Sequence, residues 1–184
     1  MCGRYYIDDE TYQEATSFVD EDNYQGSESK DFCPGEMIPV IIKKDNHYII
    51  DSYKWGFSLS QSLVINARCE TVLEKSLFKD HIKNHRCLIF SKGFYEWDTH
   101  KRKFSFELDD VVYMLGIYRE VEKDVVIITT TANQTMMPIH NRMPLIISKN
   151  DIDMWFDDLQ YENLLNKQIE ELNIIDGIFQ QSLF

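Results

Sequence analysis

The sequence predicts an α+β fold: a single domain, residues 1–184, built on a curled, barrel-like antiparallel β-sheet with flanking helices. Three observations carry that prediction. Short apolar, β-branched runs alternate with polar breaks from Met37 to Ser148, the pattern of many strands joined by turns. One stretch among them, Glu70 to Asn84 (ETVLEKSLFKDHIKN), instead spaces Val72, Leu73, Leu77, Phe78 and Ile82 at helical intervals. The 184 residues are 43% hydrophobic, enough for one sizeable core, and no internal repeat or low-complexity block marks a second unit.

In order along the chain, Asp9 to Val19 reads as a short acidic helix with Ala15, Phe18 and Val19 on a thin apolar side. Glu21 to Lys30 is polar, contains Gly26 and reads as a loop. MIPVIIKK and HYIIDSY flank Asp45-Asn46 as a hairpin. KWGF leads to the apolar LVINA, and the helix of Glu70 to Asn84 follows. RCLIF is strand-like and runs into SKGFYEW, with a turn at Asp98 to Lys103. KFSFEL, VVYMLGIYRE and DVVIITTT then read as three antiparallel strands in sequence order, broken by DD and EKD. MPLIIS is one more strand. DIDMWFDD and YENLLNKQIEEL read as helices, which makes residues 148–184 a C-terminal helical segment.

Charge and cysteine content narrow the function classes. A net charge of -12 argues against broad, non-specific attraction to nucleic acid. The acid is concentrated in Asp8 to Asp31 and Asp151 to Asp176. Between them lie Lys75, Lys79, Lys83, His85, Arg86, Lys92, Lys101, Arg102 and Lys103, which permit a local basic groove without establishing one. No apolar run is long enough to span a bilayer, and MCGRYYIDDE lacks the regions of a signal peptide. A cytoplasmic monomer is expected. The four cysteines, Cys2, Cys33, Cys69 and Cys87, form no CxxC pair, so neither a disulfide framework nor a zinc site is expected.

Polar residues inside apolar surroundings gather in four stretches. In MCGR, Cys2 follows the initiator methionine; removal of Met1 would leave an α-amine and a thiol on adjacent carbons. Their reference pKa values, roughly 7.7–8.0 and about 8.5, leave part of each nucleophilic at neutral pH. Taken alone, MC reads as an accident of a frayed terminus. In INARCET, Asn66 and Glu70 alone read as a helix cap, whereas the functional reading has Asn66 orient a reactive group and Arg68 grip an anion. In KGFYEW, Glu96 reads as an exposed strand carboxylate or as a half-buried acid whose pKa desolvation raises. In IHNRMP, His140 is a structural hydrogen-bonding residue or a proton shuttle. Just upstream, the Thr129 to Thr131 hydroxyls face a sugar or phosphate, or are plain β-formers.

Together, MCGRY, CPGEMIPVI, KWGF, INARCET, RCLIFSKGFYEW, GIYRE and IITTTANQTMMPIHNRMPLII resemble, in order, the SRAP domain family of abasic-site-crosslinking proteins. The resemblance extends from Met1 to Ile147. It implies that Cys2, exposed by loss of Met1, traps the ring-opened aldehyde of an abasic site in single-stranded DNA as a thiazolidine. It further implies that Asn66 holds the Cys2 amine and sugar in register, that Glu96 moves protons, and that His140 helps open the sugar ring. Arg4, Arg68 and Arg142 map to phosphate contacts, Thr129 to a sugar- or phosphate-side contact, and Trp97 to an aromatic beside a base. No cofactor is implied. The implied partner is single-stranded DNA containing abasic sites, with the protein at the nucleoid when damage occurs. The alternative within the family is a thiol peptidase that uses Cys2 against its own N-terminus with His140 as base; a binding module without chemistry is the third reading. The match departs from the family pattern at DFCPGE, where Cys33 is expected to be buried and inert.

Overall fold

A computed structural model describes residues 2–167 and 172–176. β1 (Tyr5–Ile7) leads into α1 (Asp9–Thr16), which starts where the Asp8 carboxylate accepts the Thr11 amide at 2.8 Å. The helix is shorter than its apolar spacing predicts. Ser17 turns its hydroxyl back onto the Glu14 carbonyl at 2.7 Å, and the chain leaves through β2 (Glu21–Asp22) and β3 (Lys30–Phe32).

β4 (Met37–Lys44) and β5 (His47–Trp55) form the expected hairpin, in register from Lys44↔His47 to Met37↔Lys54. Asp45 and Asn46 take φ of 47° and 65°, the paired left-handed conformation of a tight two-residue turn. β6 (Phe57–Ser58), β7 (Leu63–Val64) and β8 (Asn66–Arg68) follow.

The helix expected over Glu70 to Asn84 is replaced by a short 3₁₀ turn, Cys69–Thr71, isolated turns, and the four-residue α2 (His81–Asn84). Val72, Phe78 and Ile82 are buried while Leu73 faces outward, so the apolar residues reach the core from separate turns and not from one stripe. Tertiary packing overrides the periodicity here.

β9 (Arg86–Trp97) and β10 (Lys103–Arg119) are the long antiparallel pair of the domain. Where two strands separated by DD were expected, β10 is continuous, and its register shifts between Glu107 and Val112. This bulge carries Asp109 and Asp110 outward, so the acidic pair bends the strand without ending it. β11 (Asp124–Thr131), β12 (Arg142–Pro144) and β13 (Ile146–Ile147) complete the central strands.

The sheet is mixed, which corrects the expected antiparallel one. β11 runs antiparallel to β10 but parallel to β5 and β8, and β2 runs parallel to β5. The pairings β10–β11–β5–β4–β9–β10 return on themselves as a ring. Two links, β11–β5 and β4–β9, are short, so the sheet is ring-like without being a fully laddered barrel. Trp55, Tyr5, Phe32, Phe90 and Ile41 are among its fully buried side chains.

The described part of the C-terminal segment has α3 (Ile152–Phe156), a 3₁₀ turn at Tyr161–Asn166 and a strand, β14 (Asn173–Asp176), that pairs with β10. The tail is therefore not wholly helical; positions 168–171 of the expected helix lie outside the described residues. Arg86, grouped above with cations that permit a groove, is a buried tie. Its guanidinium donates to the carbonyls of Trp155 (2.9 Å), Ile82 (2.9 Å) and Lys83 (2.6 Å), pairs with Asp158 and lies over the Tyr161 ring.

Gly93 of β9 sits where β1 and β10 approach most closely. A Cβ there would meet the Phe106 carbonyl oxygen at 2.5 Å and the Tyr6 hydroxyl at 2.7 Å. Gly93→Ala is expected to destabilise the fold by about 1–3 kcal/mol, read as a lower urea midpoint.

Candidate functional site

The site begins with strand pairing. Tyr5 lies opposite Phe94, and the Tyr95 amide donates to the Arg4 carbonyl at 2.9 Å. This register carries the N-terminus along the last residues of β9 and brings Cys2 to Glu96. β8 approaches from the other side, paired in parallel with β11 through Asn66↔Ile127. The Asn66 side-chain amide donates to the Cys2 carbonyl at 3.0 Å. Residues separated by more than sixty positions thus meet because β1 pairs with β9 and β8 pairs with β11 of the same sheet.

Cys2 is fully buried (0% exposed). Burial pushes its thiol far above the ordinary range, the nearby Glu96 charge pushes the same way, and an Arg4 main-chain hydrogen bond partly opposes them. Glu96 is 5% exposed; desolvation raises its carboxyl, with His140 among the charges that pull it back. Strand alternation decides between the two sequence readings: Glu96 points inward, while Tyr95 and Trp97 face the other way. His140 Nδ1 lies 3.0 Å from both the amide and the carbonyl of Arg142. Cys2, Asn66, Glu96 and His140 are therefore brought together, as a thiol, an amide, an acid of raised pKa and an imidazole.

The expected DNA-contacting residues divide. Arg68 is exposed and has no ion pair among the described residues. Trp97 stands at the rim, 37% exposed. Arg4 is half-exposed but bound to Asp31 at 2.7 Å. Thr129 is buried, its hydroxyl 3.4 Å from the Ala67 carbonyl. Arg142 is turned inward: its guanidinium meets Glu70 at 2.5 and 3.0 Å and the Thr129 carbonyl at 2.7 Å. Cys33, expected to be buried, is only partly so.

Three neighbours were not among the expected site residues: Asp31, which neutralises Arg4; Tyr95, whose hydroxyl donates to Asp31 at 3.4 Å; and Lys103, whose ammonium lies 3.4 Å above the Tyr95 ring. Of these only Tyr95 had a local signal, its place beside Glu96.

The Asn66 contact makes a direct test. Asn66→Asp replaces the donor with a carboxylate facing a carbonyl oxygen. Amide exchange at Gly3 and Arg4 is expected to quicken by up to about tenfold, the loss of one hydrogen bond.

These contacts define a ring-like mixed sheet that encloses the chain's own second residue. The chain belongs to the SOS response associated peptidase (SRAP) family, whose model matches residues 1–175. Abasic site processing protein YoqW of Bacillus subtilis is 27% identical over 182 residues, covering 85% of this chain and 80% of that protein. Abasic site processing protein YedK of Escherichia coli is 24% identical over 176 residues, covering 84% and 79%. The crystal structure of a phage-related protein from Bordetella bronchiseptica superposes with a TM-score of 0.77 over 95% of this chain and 94% of that one. At 18% identity, this likeness shows the fold.

Proposed function

We propose that this chain processes abasic sites in single-stranded DNA by forming a covalent crosslink through Cys2 once Met1 is removed. The observation that carries the reading is the enclosure of Cys2 by Asn66 and Glu96, in a chain whose relatives are named abasic site processing proteins. An aldehyde is the electrophile for which adjacent amine and thiol are matched. His140 takes the proton of the sugar's anomeric hydroxyl and returns one to the ring oxygen, opening the aldehyde. The Cys2 amine adds to that carbon, and Glu96, in its acid form, protonates the departing hydroxyl so that water leaves and an iminium remains. The Glu96 carboxylate then takes the thiol proton as Sγ bonds to the same carbon. One water is released and a five-membered thiazolidine is left. Closure is effectively unimolecular, which offsets the low thiolate content of so buried a sulfur.

Arg68 and the rim around Trp97 meet the strand, through phosphate and base respectively. With a net charge of -12, affinity is weak and salt-sensitive, and persistence on the lesion comes from the covalent bond. The test is to incubate the Met-less protein with an abasic single-stranded oligonucleotide. A heat-stable adduct one water lighter than the sum of its parts supports the reading; its absence sinks it. The peptidase alternative is disfavoured because burial holds Cys2 as the neutral thiol; turnover of any peptide in trans would revive it.

A further inference from the structure

We infer that Glu70 is a positioning residue for this site: its carboxylate holds the Arg142 guanidinium, and through the Arg142 main chain it sets the imidazole of His140. The inference rests on the proton-transfer role given to His140 above but concerns a residue which that reading leaves unused. Both carboxylate oxygens of Glu70 engage Arg142, Oε1 with Nη1 at 2.5 Å and Oε2 with Nη2 at 3.0 Å. The same Nη2 donates to the Thr129 carbonyl at 2.7 Å and approaches its hydroxyl at 3.3 Å. The Arg142 amide in turn donates to His140 Nδ1 at 3.0 Å.

This network sits where the chain needs it. Residues 132–141 leave the sheet after β11 and return at Arg142, the first residue of β12, opposite Thr131. The return is pinned by the Ala132 amide on the Asn141 carbonyl at 3.1 Å and by the Arg142 fork on Thr129 and Glu70. His140 lies inside that return, so the fork limits how far its ring can drift. The Arg142 side chain is only 14% exposed, against 47% for Glu70. An arginine that served only as a phosphate clamp would stand open, as Arg68 does. Bidentate pairing also pulls the Glu70 carboxyl down to about 2, so the clamp stays closed across the range in which crosslinking is assayed.

The alternative for an exposed carboxylate near a DNA-binding rim is electrostatic hindrance alone. The two roles predict opposite results. In Met-less protein, Glu70→Gln removes a negative charge, so the Kd for an intact single-stranded oligonucleotide stays level or falls. If Glu70 positions His140, the first-order crosslinking rate at saturating abasic oligonucleotide nevertheless falls about 10- to 100-fold. Arg142→Lys, which cannot form the fork, lowers that rate similarly, and the double variant is no slower than the worse single one. The His140 ring ¹⁵N resonances shift or broaden in Glu70→Gln. Tighter binding with an unchanged rate, multiplicative losses, or unmoved His140 resonances would each overturn the inference. Should wild-type protein form no adduct, the crosslinking proposal fails by itself, and the His140 resonances still decide the role of Glu70.

Discussion

Cys2→Ala is expected to reduce the heat-stable adduct to background while leaving binding to single-stranded oligonucleotide intact. Alanine is small enough for Met1 removal, so the variant retains an α-amine in the same place. That amine can still form an imine with the sugar aldehyde, which borohydride would trap. What it lacks is the sulfur that converts the imine into a ring. The expected pattern is a borohydride-dependent adduct that hydrolyses on heating when the reductant is omitted. An adduct as heat-stable as that of the wild type would show that another nucleophile does the work. Retained lesion protection in a protein that keeps Met1 would count equally against the proposal, because the amine would then be an amide.

The second large effect is at Glu96, and it has opposite signs on chemistry and stability. Glu96→Gln removes the group that donates and then accepts a proton, so crosslinking is expected to slow by about 100- to 10,000-fold. The folded-state pKa of Glu96 is raised by burial. A carboxyl raised in this way contributes stability below its unfolded value and loses it as pH rises through the folded value. Above that folded value the wild type therefore carries a buried charge that glutamine does not. Glu96→Gln should have the higher urea midpoint at pH 8, and the difference should shrink towards pH 4. A variant that is both slower and less stable at pH 8 would mean that the loss of rate came from a damaged fold.

The residues proposed to carry the chemistry could be picked out because each sits in a compact motif: Cys2 in MCGR, Asn66 in INARCET, Glu96 in KGFYEW and His140 in IHNRMP. The structure brings all four together. Legibility fell where a residue's partner is distant in sequence. Nothing near Arg142 announces Glu70, 72 positions away, and nothing near Arg4 announces Asp31. Arg86 looked like one more surface cation, yet it holds α2 and α3 onto β9.

By itself, the sequence determined the α+β class, the hairpin at Asp45-Asn46 and the strands β9 and β11. These depend on side-chain alternation and turn chemistry, which are local. Tertiary structure alone decided the parallel pairings of β11, the breaking of the 70–84 segment into turns, the burial of Glu96 and the inward turn of Arg142. Those outcomes follow from which strands lie side by side in the ring, where desolvation and ion pairing act between residues that the chain places far apart.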